Sequence, residues 1–185
     1  MATRDNAAAA MRRHAHNPGY WFKQAKELDR AAMVIWESIR ADFMRLSKLH
    51  VGSEITAEQA ANANLGGVFW LLAGFALENA FKGIIISNDS AVVVDGRIKR
   101  SLGTHDLLRL ARRASFALSP GETFYLRVAT ECTTWAGRYP SSMKGGETGL
   151  LLFSEADVNV YREIYDRLAS ELEFEIPSVT LRRFV

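Results

Sequence analysis

LGGVFWLLAGFALENAFKGIIIS, residues 65–87, is the most apolar stretch of this chain of 185 residues. Its uninterrupted apolar run, 65–77, is shorter than the roughly 20 residues that a helix needs to cross a bilayer. Glu78, Asn79 and Lys82 then interrupt the run, and a charged side chain in such surroundings needs a partner or water. We therefore predict a buried helix of a soluble protein that makes no contact with a membrane.

Four more amphipathic helices are predicted around this one. In the first of them, apolar residues recur at steps of three and four from Trp21 to Leu46, including Phe43, which predicts one apolar stripe. Ser, Thr, Pro and acidic residues at the expected spacings mark the other helix starts. The predicted helices are 20–49; 56–86, capped by Thr56; 105–115, capped by Thr104; 119–138, capped by Ser119 and ended by Pro140; and 154–172, capped by Ser154.

Asp95 and Gly96 stand between two short β-prone runs, which predicts a small β-hairpin near residues 92–99. Nothing else in the sequence supplies partner strands. The fold class is therefore all-α, a single-domain bundle of about five helices. We expect a flexible arm at 1–19, the bundle at 20–175 and a tail at 176–185.

The composition excludes several classes of site. Cys132 is the single cysteine, so an internal disulfide and a multi-cysteine zinc site are both excluded. Its apolar neighbours favour a buried thiol over a nucleophile. A chain without disulfides fits the cytoplasm. The pair His14 and His16 is weak evidence for a metal, so we expect neither a metal nor a cofactor.

Charge is uneven along the chain, although the formal net charge is only +2. Residues 97–113 hold six Lys or Arg against Asp106, whereas the last predicted helix is acidic. A basic segment can bind the phosphates of a nucleic acid. It can equally be a solvated face, or can meet the acidic helix of the same chain or of another copy.

Three charged or titratable residues are candidates for a site. Glu78 and Lys82 are four residues apart on the apolar helix, where they can form an ion pair, with Arg138 as a further partner. The pair is either a structural clasp or, with Asn79, part of a polar cluster that binds a phosphate or nucleotide. His105 is either a general acid or base or a residue that caps and packs its helix.

Three motifs in order carry a family resemblance: ALENAFKGIII (76–86), THDLLRLARRA (104–114) and WAGRYP (135–140). Together they resemble a HEPN domain, over about residues 21–172. The resemblance implies a bundle of about five helices and a homodimer. It also implies a bacterial toxin–antitoxin or phage-defence setting, with a nucleotidyltransferase or antitoxin partner. Active members of the family are metal-independent ribonucleases, marked by an arginine, then four to six intervening residues, then a histidine.

Arg138 matches the family's arginine, but the histidine does not follow, because the expected slots hold Met143, Lys144 and Gly145. We expect Arg138 and Lys144 to bind phosphate and Tyr139 to stack on a base or donate a hydrogen bond, with His105 as the candidate for proton transfer. Whether the chain is an enzyme is left open. The alternative is a catalytically inert module for dimerisation or partner binding. A helix-turn-helix repressor fits poorly, because no helix pair shows a recognition face.

Overall fold

The computed structural model describes residues 14–48, 56, 65–136 and 153–171. Within them the protein is built almost entirely of helices, which confirms the predicted all-α class. The α-helices are α1 (Pro18–Leu46), α2 (Gly66–Asn88), α3 (Leu107–Arg113), α4 (Pro120–Glu131) and α5 (Glu155–Glu171). A 3-10 turn (Ser90–Val92) follows α2, and a π-helical turn (Cys132–Ala136) continues α4.

Helix α2 is the centre of the molecule. It packs against α1, α3, α4 and α5, and Phe69, Leu77 and Phe81 on it are fully buried. Among the described residues, α2 is the one helix long and apolar enough to span a membrane, and 78% of its most apolar window is buried inside the protein. That burial is what we expect of a core helix in a soluble protein.

The strongest helix-start prediction is confirmed at α4. Ser119 accepts a hydrogen bond from the Glu122 backbone N–H, and the Glu122 carboxylate accepts one from the Ser119 N–H. This reciprocal capping box satisfies two backbone donors that the helix leaves unpaired. Ser154 likewise precedes α5 and bonds to the Asp157 carboxylate through both its N–H and its hydroxyl.

Two other predicted starts are wrong. Thr104 does not cap α3; its hydroxyl accepts a hydrogen bond from the Asp106 N–H, and Asp106 is the cap, accepting from Arg109. A single unbroken helix from Thr56 is also wrong, because Leu65 lies in a turn and α2 begins at Gly66. The two glycines that open α2 are poor helix formers.

The predicted hairpin is confirmed. Strands β1 (Val93–Val94) and β2 (Arg97–Ile98) pair antiparallel, with Val93 opposite Ile98. Asp95 and Gly96 have φ values of 50° and 72°, the left-handed conformation that a type I′ turn needs at both central residues.

The apolar stripes are correct in period but not in every member. Phe43 was predicted to lie on the apolar stripe of α1, yet it is 43% exposed, and Phe124 on α4 is 65% exposed. Ile39, another member of the predicted stripe, is buried, and so are Trp36 on α1 and Tyr125 on α4.

Candidate functional site

Glu78 and Lys82 form a buried ion pair on successive turns of α2. The Lys82 Nζ donates to Glu78 Oε1 at 2.6 Å, and the two residues are only 5% and 6% exposed. The Lys82 ammonium also lies 6.0 Å from the centre of the Trp21 ring on α1, within the range of a cation–π contact. The predicted pairing on α2 is therefore present, and it lies in the interior.

His105 completes this cluster from the loop before α3. Its Nδ1 lies 2.8 Å from Glu78 Oε2, the carboxylate oxygen that Lys82 does not use. An ionised carboxylate only accepts hydrogen bonds, so Nδ1 carries the proton and Nε2 keeps the lone pair of the neutral ring. The His105 side chain is 47% exposed. The arrangement thus presents to solvent an imidazole whose tautomer is set by a buried acid.

Several contacts position the His105 loop against α2. The Leu107 N–H donates to the Thr130 hydroxyl of α4 at 3.0 Å, which anchors the first turn of α3. The Phe75 ring packs edge-on against the imidazole, with ring centres 6.0 Å apart. Asn79, another predicted ligand-binding residue, donates from Nδ2 to the Phe75 carbonyl at 2.8 Å and is partly exposed beside Glu78.

The basic segment 97–113 surrounds His105 in the sequence. Five of its cations are exposed: Arg97, Lys99, Arg100, Arg109 and Arg112. Arg113 donates instead to the Ser101 carbonyl at 2.8 Å. None of the six forms an ion pair with a carboxylate in the part of the chain that the structure describes. Among those residues the segment therefore makes no ion pair with the acidic helix of its own chain.

The other predicted site residues, Arg138, Tyr139 and Lys144, lie outside the described residues. Their roles as phosphate ligands and base-stacking residue stay predictions. Within the described part of the chain, the Glu78 carboxylate binds Lys82 and His105 rather than an arginine.

Cys132 is buried at the start of the π-helical turn, as predicted for a structural thiol. Burial raises the pKa of the thiol to about 12, with a smaller contribution from the nearby Glu131 charge. A thiol with such a pKa is a poor nucleophile near neutral pH. The described residues include no group of three or more His, Cys, Asp or Glu side chains that could hold a metal ion.

The sequence predicted the Glu78–Lys82 pair and singled out His105, but it did not join His105 to the pair. Glu78 and His105 are 27 positions apart in the sequence, and no local pattern links them. It also missed Trp21 as the aromatic neighbour of Lys82, since that residue was assigned only to the apolar stripe of α1. No protein-family model, curated protein or solved structure matches this chain.

Proposed function

We propose that this protein binds RNA through the basic segment around His105, and that His105 transfers protons at the bound phosphodiester. The observation that carries the proposal is the 2.8 Å hydrogen bond between His105 Nδ1 and the buried Glu78 carboxylate. A carboxylate behind an imidazole holds the ring in one tautomer and stabilises its protonated form. A histidine held in this way is suited to general acid–base chemistry near neutral pH.

The charge of the surrounding segment supports a polyanionic ligand. Exposed arginine and lysine side chains that lack carboxylate partners can bind the phosphates of a nucleic acid in place of its counterions. The release of those counterions into solution favours binding. Arg109 and Arg112 lie on α3, close in sequence to His105, and both are exposed. The resemblance to the HEPN family points to the same class of ligand.

For metal-independent cleavage, the RNA 2′-oxygen would attack the adjacent phosphorus and the bond to the 5′-oxygen would break. In this proposal the His105 Nε2 takes the proton from the attacking 2′-hydroxyl. The product is a 2′,3′-cyclic phosphate, and the leaving 5′-oxygen is protonated by His105 or by water. Arg138, from the family resemblance, and Lys144, from its charge at a slot where the family has a histidine, are the proposed phosphate ligands.

Labelled single-stranded RNA with a chelator present tests binding and cleavage separately. His105→Asn keeps an N–H that can donate to Glu78 but removes the titrating nitrogen, so we expect it to bind RNA and not to cut it. The double variant Arg109→Ala/Arg112→Ala should bind RNA more weakly. The slope of log affinity against log salt concentration should become shallower by about 0.7 for each removed cation that contacts a phosphate. If wild-type protein does not bind RNA at low salt, the proposal is wrong.

A second candidate function is an inert module for dimerisation or partner binding, in which Glu78, Lys82 and His105 form a structural clasp. The depth of Glu78 and Lys82 favours it, because both charges are already satisfied inside the protein. The clasp hypothesis predicts that His105→Ala lowers stability and that wild-type protein leaves RNA untouched. The homodimer, the cytoplasmic location and the nucleotidyltransferase or antitoxin partner belong to either proposal.

A further inference from the structure

A small groove lies next to the buried pair. It has a volume of about 180 Å³, below the roughly 300–1,000 Å³ of clefts that hold drug-sized molecules. A groove of this size suits a ligand with a single flat ring system. The groove is lined by His14, Ala15, Tyr20, Trp21, Gln24 and Asn79.

The lining combines aromatic rings with side-chain amides. His14 and Tyr20 are stacked with ring centres 3.8 Å apart, and both residues are exposed. Trp21 is held by a 3.1 Å hydrogen bond from its Nε1 to the Ala15 carbonyl. Exposed aromatic rings are the surfaces on which unpaired nucleobases stack, and stacking of this kind tolerates any base.

Asn79 supplies a recognition edge in this groove. One of its Nδ2 hydrogens is used by the Phe75 carbonyl, which leaves the other hydrogen as a donor and Oδ1 as an acceptor. A donor beside an acceptor on one amide matches the N7 and N6 positions of adenine. Asn79 directly follows Glu78 in the chain, and Trp21 in the same groove is 6.0 Å from the Lys82 ammonium. The groove therefore lies beside the buried Glu78–Lys82 pair.

We propose that this groove is a nucleobase subsite that binds an adenine of the RNA whose phosphate lies at His105. The inference rests on the proposed function and names a base preference for it. His14 or Tyr20 stacks on the base, while the Asn79 amide pairs with its edge. Gln24 is the second amide available at the rim.

Fluorescence anisotropy with non-cleavable 2′-fluoro oligonucleotides tests the subsite, using oligo(A), oligo(U) and an abasic oligomer of equal length. Wild-type protein should bind oligo(A) about tenfold more tightly than the abasic oligomer, the size expected of a good amide–base pair. Asn79→Ala should remove most of that preference and leave abasic binding unchanged, and Tyr20→Ala should also weaken oligo(A) binding. Asn159→Ala, an exposed asparagine on α5, is the matched control and should change nothing.

The outcomes separate this inference from the function on which it rests. Equal affinity for all three oligomers, still lost in Arg109→Ala/Arg112→Ala, would overturn the subsite and leave RNA binding in place. Absence of binding to every oligomer would overturn both. A titration with AMP distinguishes a free nucleotide, because tighter binding of AMP than of oligo(A) would reassign the groove to that ligand.

Discussion

Glu78 offers one carboxylate oxygen to Lys82 and the other to His105, in the interior of the protein. A buried ion pair contributes little net stability, since the cost of taking both charges out of water offsets their attraction. Loss of one partner is different, because the remaining charge is then buried and uncompensated. The stability of α2 and the orientation of His105 therefore depend on the same carboxylate.

We expect Glu78→Gln to lower the free energy of unfolding by about 3–5 kcal/mol, because Lys82 loses its counterion. The exposed pair Lys23 and Glu27 has the same spacing along a helix, with a separation of 3.7 Å. Glu27→Gln is therefore the control, and it should cost less than about 1 kcal/mol. Urea unfolding followed by circular dichroism measures both. Equal effects in the two variants would show that Lys82 reaches water in the folded protein.

The Cys132 thiol should react very slowly in the folded protein. With its pKa raised to about 12 by burial, only about one thiol in ten thousand is ionised at pH 8, and the thiolate is the reactive form. An aromatic disulfide reagent should thus label the native protein only as fast as unfolding exposes Cys132. It should label the urea-unfolded protein at once. Labelling of native protein as fast as a free cysteine would contradict the buried position.

At the scale of elements, the approach of α2 to the π-helical turn depends on a glycine. A Cβ at Gly74 would lie 2.3 Å from the Thr133 Cγ2 and 3.3 Å from the Ala129 carbonyl oxygen. Gly66 also allows a close approach, because a Cβ there would meet the Phe153 side chain. Gly67, by contrast, has open space around it.

Gly74→Ala should lower the free energy of unfolding by about 1–3 kcal/mol, the usual cost of overpacking a core. Thr133→Ser removes the methyl group that would clash, so the double variant Gly74→Ala/Thr133→Ser should recover part of the loss. Gly67→Ala, in open space on the same helix, should instead stabilise the protein by about 0.5–1 kcal/mol. Thermal unfolding compares the four proteins. A loss at Gly74 that Thr133→Ser leaves unchanged would point to the Ala129 carbonyl instead.

Sequence patterns predicted the features that depend on neighbouring residues in the chain. The capping box at Ser119 and the Asp95-Gly96 turn are formed within four residues, so their signals are complete locally. The start of α3 was misplaced because Thr104 and Asp106 can both cap a helix. In the structure the helix begins at Leu107, whose N–H donates to the Thr130 hydroxyl of α4, and this contact is not visible in the local sequence.

The site was harder to predict than the fold, since it joins residues from separate elements. The period of apolar residues does not fix which face of α4 is buried, and the helix exposes Phe124 and buries Tyr125. In the same way, Glu78 and His105 meet only because α2 packs beside the loop before α3. Such a pair can be predicted only when the packing of the whole bundle is known.

At the scale of the whole molecule, buried phenol and thiol groups converge on the core between α4 and α5. Tyr125, Tyr161 and Tyr165 are all buried, and burial is the largest cause that raises the pKa of each hydroxyl above its usual value of 10.0. The Asp29 charge raises the pKa of Tyr161 further, where the hydroxyl donates to that carboxylate at 2.8 Å. The three tyrosine hydroxyls and the Cys132 thiol therefore stay protonated in the folded protein at pH values at which they ionise in the unfolded chain.

This cluster predicts alkaline unfolding. The unfolded chain releases these protons near pH 9–10, about the ordinary pKa values of Cys and Tyr, whereas the folded protein holds them to higher pH. Stability is therefore fully present below about pH 9 and is lost as pH rises toward the raised pKa values of the folded state. Urea midpoints should fall steadily between about pH 9 and 11. A constant midpoint over that range would show that the hydroxyls ionise in place.

Tyr125→Phe tests which group contributes to this loss. The Tyr125 hydroxyl is buried and has no hydrogen-bond partner among the described residues, so its removal leaves no polar atom of that part of the chain unsatisfied and should be neutral or stabilising at pH 7. Because the variant also lacks a proton that only the unfolded chain releases, its advantage over wild type should grow with pH above about 10. Tyr20→Phe is the control, since that ring is 41% exposed, and its urea midpoint should follow wild type at every pH. A Tyr125→Phe advantage that stays constant with pH would assign the alkaline loss to Tyr161, Tyr165 and Cys132 instead.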